Sequence, residues 1–201
     1  MTSFSATGLI VFCALLGSAF SHRCYECMTA NSKTCNPIET ECIGSRCMTV
    51  SQYFQDDKHI FHSMYKGCAN ETMCGKQGMV TGKQLKFMGL IKCCNGDLCN
   101  NDEFQTPAEN NTKNGLKCPF AYCKGSTEDC TPVEWKSCTG IENTCFEYRG
   151  EMSIPDESVG SYSLRGCSNP ISCVCNFNVA IGINEIRRVA LKCNETQPVK
   201  E

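Results

Sequence analysis

Residues 93–100, CCNGDLCN, close a run of ten cysteines that begins at Cys24. Nine more cysteines follow between Cys118 and Cys193. A chain this rich in cysteine is held together by disulfides or by metal ions, because its hydrophobic core is too small to hold the fold alone. The cysteine pattern is therefore the first guide to the fold.

The two runs of cysteines have nearly the same spacing. Counted from Cys24 and from Cys118, the successive gaps are 3, 8, 7, 5, 21, 6 and 19 residues in the first run and 5, 7, 8, 7, 22, 6 and 20 in the second. Local sequence also agrees, since the YKGC that ends at Cys68 matches the LRGC that ends at Cys167. The chain is therefore predicted to contain two copies of one unit, each of about 75–80 residues.

The chain is predicted to begin with a secretion signal. Residues 8–16 (GLIVFCALL) are apolar, and Ala19 and Ser21 are the small residues that a signal peptidase reads, which makes residues 1–21 a signal peptide and His22 the mature start. The apolar run is too short to span a bilayer. Because residues 194–201 (NETQPVKE) are polar, we expect no membrane anchor and a secreted, extracellular protein.

The remaining boundaries follow from composition. The first unit is assigned to residues 22–100, the second to residues 118–196, and a short polar tail to residues 197–201. Residues 101–117 (NDEFQTPAENNTKNGLK) have the polar composition of a linker. Three sequons, at Asn70, Asn110 and Asn194, agree with export and are predicted glycosylation sites.

Strand signals occur within the units, and helical signals do not. Residues 48–54 and 59–66 flank the polar turn QDDK, which predicts a hairpin, and apolar residues alternate at Leu85 and Phe87. The net charge of −2, from 19 basic and 21 acidic residues, argues against nucleic acid or anionic lipid as a partner. The sequence therefore predicts an all-β protein that does not bind nucleic acid.

The first unit resembles the Ly-6/urokinase-receptor family of three-finger domains. It has the ten cysteines, the opening Cys-x-x-Cys at Cys24 and the closing Cys-Cys-x4-Cys-Asn of that family. The resemblance implies an all-β fold of two tandem disulfide-rich three-finger (Ly-6/uPAR) domains, with Asn100 tying the end of the first unit to its disulfide-rich end by side-chain hydrogen bonds.

The resemblance also implies a disulfide connectivity, which the sequence alone could not choose. The pairs implied for the first unit are Cys24–Cys47, Cys27–Cys35, Cys42–Cys68, Cys74–Cys93 and Cys94–Cys99. The pairs implied by analogy for the second unit are Cys118–Cys145, Cys123–Cys130, Cys138–Cys167 and Cys173–Cys193.

The second unit departs from the family pattern. It lacks the closing Cys-Cys-x4-Cys-Asn and has an additional cysteine, Cys175, which is predicted to be unpaired. A free thiol, an intermolecular bridge, an alternative pairing with Cys193 and burial as a small apolar residue are all open for Cys175.

Catalysis and metal binding are not indicated. Cys24-x-x-Cys27 could be a redox or zinc motif, but an exported chain with a complete disulfide set disfavours that interpretation. The histidines are His22, His59 and His62, and none lies beside a nucleophile motif, although a general base must reach the proton it removes. We therefore predict no enzyme activity, no cofactor and no metal.

The two-unit organisation is most similar to the gamma-type phospholipase A2 inhibitors, which block secreted phospholipases. It is also similar to the sodefrin precursor-like factors, which are secreted amphibian chemosignals. The resemblance implies a secreted non-enzymatic binding protein whose partner is a secreted phospholipase A2 or a cell-surface receptor. It also leaves room for a homo-oligomer and for a secreted binding protein with neither role.

Partner contacts are predicted at the tips of the fingers, because loops on a rigid disulfide scaffold vary without cost to the fold. In the first unit the predicted contact residues are Asp57, Ile60 and Phe61, and in the second unit Ile154. Trp135 is the only tryptophan, and it either anchors an interface or packs over the disulfide-rich end of the second unit.

Overall fold

A computed structural model describes residues 21–43, 45–154, 158–175 and 181–195. Within these ranges the protein is almost entirely β-structure, with one 3-10 turn at Glu71–Met73 and one short helix, α1, at Pro170–Cys175. No helix in the described ranges is long and apolar enough to cross a membrane. The strands of the first unit are β1 (Ser21–Thr29), β2 (Ile38–Ile43), β3 (Cys47–Asp56), β4 (Ile60–Cys68), β5 (Gln77–Gly82) and β6 (Leu85–Cys94). Those of the second are β7 (Lys113–Lys124), β8 (Glu134–Thr139), β9 (Thr144–Ser153), β10 (Gly160–Ser168) and β11 (Asn184–Glu195).

The predicted central hairpin of the first unit is confirmed. Strands β3 and β4 pair in antiparallel register from Cys47↔Cys68 to Gln55↔Ile60, which leaves residues 56–59 as the connection. Strand β7 begins at Lys113, inside the segment predicted as linker. The preceding linker residues are tied to the first unit, because the Gln77 side chain donates to the Ala108 carbonyl over 2.9 Å.

Within the described residues nine disulfides gather the strands, and they join the pairs that the family resemblance implies. We call the end of each unit where these disulfides collect its palm. The palms form two small clusters centred on fully buried cysteines, Cys24 and Cys47 in the first unit and Cys118 and Cys167 in the second. Each bridge restricts the unfolded chain and contributes about 2–4 kcal/mol.

The two units share one sheet, with the strand order β11-β9-β10-β5-β6-β3-β4-β1-β2, and β7 pairs with β10 and β8. The joint between the units is the antiparallel pairing of β10 with β5, in which Gly166 lies opposite Gly82. A Cβ on Gly166 would collide with the Thr81 carbonyl oxygen and lie 2.9 Å from the Gly82 Cα. The backbones therefore approach this closely only because residue 166 has no side chain.

Asn169 fastens the joint beyond the end of β10. Its side-chain oxygen accepts from the Met79 N–H over 3.0 Å, and its side-chain amide donates to the Gln77 carbonyl over 2.6 Å. The Asn169 N–H donates to the Met79 carbonyl, which also accepts from the Ser168 hydroxyl over 3.2 Å. One buried side chain of the second unit therefore pairs with backbone N–H and carbonyl groups of β5 in the first unit, as a neighbouring strand would.

The main hydrophobic core is common to both units. The first unit contributes apolar residues near the ends of its fingers. The second unit contributes residues on the inward face of the β9–β10 hairpin and Ile183. Its buried members are Phe54, Phe61, Val80, Leu85, Phe146, Tyr148, Met152, Ile154, Tyr162, Leu164 and Ile183. The fingers of one unit are therefore covered by the other.

Candidate functional site

The tip of the β3–β4 hairpin is a rigid turn organised by Asp56. One carboxylate oxygen accepts from the N–H groups of Lys58, over 2.8 Å, and His59, over 2.6 Å. Burial alone would raise the pKa of Asp56, but these hydrogen bonds to its charged form hold the pKa below its ordinary value. The turn presents Asp57, Lys58 and Ile60 to solvent, with Ile60 54% exposed.

The expectation that Phe61 and Ile154 are exposed is wrong. They are 3% and 7% exposed and belong to the core shared by the two units. Their physical role is to bury the apolar face of each hairpin against the neighbouring unit, which a hairpin of a single unit would leave in water. Of the predicted tip residues, Asp57 and Ile60 are on the surface.

Trp135 lies on β8 with 66% of its surface exposed, so it does not pack over the palm. It is opposite Pro119 of β7 and is flanked by two charged residues, Glu134 and Lys136. Glu134 accepts from Lys83 of the first unit over 2.7 Å, and this bond, with a second from Lys136, lowers the pKa of Glu134. Trp135 is therefore a large apolar side chain in water, beside a charged contact between the units.

The sequence did not indicate the exposed apolar side chains of the β1–β2 hairpin. Met28, Ile38 and Ile43 of the β1–β2 hairpin are each at least 67% exposed. At the tip of the β9–β10 hairpin Val159 is 55% exposed, whereas residues 155–157 of that tip lie outside the described residues. The alternation in β1 and β2 gave no signal, because the cysteines of these strands, and not their aliphatic residues, point inward.

Two of the predicted glycosylation sites are on the surface and the third is not described. Asn70 accepts from the Thr72 hydroxyl over 2.7 Å, and Asn110 accepts from the Thr112 N–H over 2.9 Å. Both asparagines are exposed, whereas the side chain of Asn194 lies outside the described residues. Glycosylation at all three positions stays a prediction.

Asn100 ties the first unit together as the family resemblance implies. Its side-chain oxygen accepts from the Tyr25 N–H over 2.9 Å, and its side-chain amide donates to the carbonyls of Tyr25, over 2.8 Å, and Met48, over 3.0 Å. The side chain is 1% exposed, so these bonds are shielded from water. Asn100 therefore joins the end of the unit to β1 and β3.

The cysteines offer no metal centre in the part of the chain that the structure describes. Cys118, Cys138 and Cys167 have sulfurs close enough together to hold an ion, but all three are in disulfides. A metal is bound by thiolates, which a disulfide does not provide. Cys175 is the last residue of α1, and because its side chain lies outside the described residues its unpaired state stays a prediction.

Comparison with known proteins finds a match to a family model and a similar protein. Residues 21–102 match the family model of the u-PAR/Ly-6 domain. The chain is 28% identical over 167 residues to a protein named phospholipase A2 inhibitor CNF from Crotalus durissus terrificus. This alignment covers 80% of this chain and 82% of that protein. The crystal structure of mouse TEX101 aligns with a TM-score of 0.34 at 15% identity, and the alignment covers 87% of this chain and 97% of that chain.

Proposed function

We propose that this chain, whose residues 21–102 are a u-PAR/Ly-6 domain, is an extracellular binding protein that inhibits secreted phospholipases A2. The observation that carries the proposal is the relative that is named a phospholipase A2 inhibitor. The similarity to that relative extends over 80% of this chain, and therefore beyond the first unit. The nine disulfides agree with an extracellular location, because such bonds persist in oxidising compartments.

The proposed inhibitor acts by covering its partner and not by chemistry. Ile60 and Trp135 are apolar, exposed and held on rigid elements, so they lose little conformational entropy when a partner buries them. Exposed aromatic residues of this kind are enriched among the residues that dominate binding energy. With a net charge of only −2, long-range attraction contributes little, and we assign most of the affinity to these apolar contacts.

The test is a titration of the secreted protein against a panel of secreted phospholipases A2 with two substrates. One substrate is a phospholipid vesicle and the other a short-chain phospholipid below its micellar concentration. Loss of both activities is expected if the inhibitor covers the active-site entrance. Loss of vesicle hydrolysis alone is expected if it covers the membrane-facing rim. No binding to any member by a folded, fully oxidised protein would refute the proposal and favour a receptor ligand or chemosignal.

Three alanine variants locate the contact. Ile60→Ala and Trp135→Ala are each expected to weaken inhibition by about tenfold, which corresponds to the loss of one apolar anchor. Ile43→Ala is the matched control, because Ile43 is 74% exposed on a different hairpin, β1–β2, and it should inhibit as the wild type does. If only Ile43→Ala weakens inhibition, the contact lies on that hairpin and the assignment to the fingertip and β8 is refuted.

A further inference from the structure

A groove of about 430 Å³ lies beside the first unit, between the loop after β1, the strand β4 and the start of the linker. Its floor contains two buried residues of β4, Met64 and Lys66. Its other lining residues are Lys33, Thr34, Cys35, Asn101, Asp102, Glu103 and Phe104. The volume is that of a site for a small ligand or for a few side chains of a partner.

Lys66 is the unusual member of this groove. The residue is 6% exposed, and among the described residues its ammonium has no hydrogen-bond or ion-pair partner. Burial lowers the pKa of Lys66, and the charge of Asp102 only partly opposes that effect. Withdrawing a lysine side chain from water without an ion pair costs free energy, which the charge of Asp102 offsets only in part, so the stability of the fold does not explain this lysine.

The second unit has a basic residue at the corresponding position, and there it is paired with carboxylates. Arg165 stands two residues before Cys167, as Lys66 stands two residues before Cys68. Arg165 forms ion pairs with Glu147 over 3.3 Å and with Asp129 over 3.4 Å. Here the charge is neutralised within the unit.

At the positions that correspond to Glu147 and Asp129, the first unit has no carboxylate. Glu147 stands two residues after Cys145 and lies opposite Arg165, and its counterpart two residues after Cys47 is Thr49, which lies opposite Lys66. Asp129 directly precedes Cys130, and its counterpart directly before Cys35 is Thr34. Both carboxylates of the second unit are therefore replaced by threonine, while the cation is kept.

We propose that the groove around Lys66 binds a carboxylate of a protein partner, which takes the place that Asp129 and Glu147 hold beside Arg165 in the second unit. The ligand is a carboxylate, because carboxylates pair with Arg165 at the corresponding place, and the charges of Asp102 and Glu103 disfavour an anion of higher charge more strongly. It is attached to an apolar body, because Phe104 and Met64 line the same groove. Lys33, whose ammonium lies 5.7 Å from the centre of the Phe104 ring, adds a second positive charge at the mouth.

The probe is a set of three short peptides added to the secreted protein labelled with ¹³C at its methionine methyl groups. The methyl signal of Met64, assigned through Met64→Leu, reports on the groove. Acetyl-Phe-Glu-Phe-amide is expected to shift this signal with an affinity at least about tenfold above that of acetyl-Phe-Gln-Phe-amide, which lacks any carboxylate. Acetyl-Phe-Gln-Phe with a free carboxyl end distinguishes a terminal carboxylate from a side-chain one. Equal binding of the Glu and Gln amides, or tighter binding of inorganic phosphate, would overturn the proposal.

Two variants separate binding from folding. Lys66→Met removes the charge and keeps the apolar stem, so it should raise the urea midpoint of unfolding and abolish the preference for the Glu peptide. Thr34→Asp supplies the missing carboxylate within the chain, so it should also raise the midpoint and block the peptide. A lower midpoint for Lys66→Met would show that Lys66 serves the fold, and peptide binding unchanged by Thr34→Asp would show that the carboxylate does not bind at this position. Either result rejects the site.

Discussion

Gly166→Ala tests whether the two units are one cooperative structure. The added methyl group would meet backbone atoms of β5 on the far side of the joint, with the Gly82 Cα at 2.9 Å where ordinary contacts begin at 3.4 Å. Backbone on both sides cannot rotate away, so β10 and β5 must separate by more than half an ångström. The bonds at greatest risk are those that Ser168 and Asn169 make to Met79, with lengths of 3.0–3.2 Å.

The magnitude follows from these bonds. Three hydrogen bonds between the units, at about 1 kcal/mol each, give a loss of about 3 kcal/mol in the free energy of unfolding. A total stability of about 5–15 kcal/mol makes such a loss easily measured. The assay is urea unfolding of the oxidised protein, followed by far-ultraviolet circular dichroism, which reports on the strands of both units.

Gly67→Ala is the matched control. Gly67 holds the equivalent place in the first unit, directly before Cys68, but its added methyl group would meet only the ring of Tyr65, with the nearest ring carbon at 2.7 Å. A half-buried tyrosine side chain can turn aside, and alanine is favoured over glycine in a strand, so we expect a change within about 1 kcal/mol. Equal stabilities of Gly166→Ala and Gly67→Ala would refute the argument that the joint needs glycine.

Further outcomes follow from single residues. Asn100→Ala removes three buried hydrogen bonds and leaves backbone groups of β1 and β3 unpaired, so urea unfolding should show a loss of about 3 kcal/mol; a change below about 1 kcal/mol would contradict its role as a tie. Phe61→Ala should cost about 3–5 kcal/mol in the same assay, whereas Ile60→Ala should change stability by less than about 0.5 kcal/mol, and similar values would contradict the burial difference. Burial raises the pKa of Tyr122 to about 12. The neutral tyrosine is therefore favoured in the folded state, so the contribution of Tyr122 to stability should be constant below about pH 10, the unfolded pKa, and fall as the pH rises towards 12; a tyrosinate absorbance at pH 10 that the folded protein shows and folded Tyr122→Phe lacks would contradict this.

The features that the sequence predicted are those with a local or repeated signal. The cysteine spacing is repeated, so it indicated the units, and the resemblance that it carries implied the pairs that the disulfides join. The β3–β4 hairpin has alternating residues around a polar turn, and its strands end within two residues of the prediction. Asn100 belonged to the closing motif, so its role as a tie was also implied.

The joint between the units had no such signal. A glycine within a strand, such as Gly166, does not reveal which backbone approaches it. Asn169 precedes Pro170, and this pair of residues is common in ordinary turns. Apolar alternation shows that a face is buried but not what covers it, so Phe61 and Ile154 were assigned to a partner although the other unit covers them. Burial between two units of one chain and burial by a separate protein have the same sequence pattern, which explains why the fold was more predictable than the surface.

The joint also accounts for the missing closing motif of the second unit. In the first unit the chain end is tied by Cys99 and Asn100. In the second unit β11 pairs with β9 from Asn184 to Glu195 apart from two bulges, and Cys193 is bridged to Cys173 in α1. Residue Asn169, just before α1, is bonded to β5 of the first unit.

The end of the second unit is thus held in two ways. Strand β11 pairs with β9 as far as Cys145 of the second palm, and the bridge of Cys193 to Cys173 links it through α1 to the segment that is bonded to the first unit. The second unit therefore lacks the closing Cys-Cys-x4-Cys-Asn, but its last strand is still paired along its length and its sheet continues into the first unit. Because its core is completed by residues of the first unit such as Phe54 and Phe61, the second unit expressed alone should unfold at a lower urea concentration than the tandem protein. The two residues that we propose as partner contacts, Trp135 on β8 and Ile60 on the first fingertip, belong to different units and are therefore presented together only in the tandem protein.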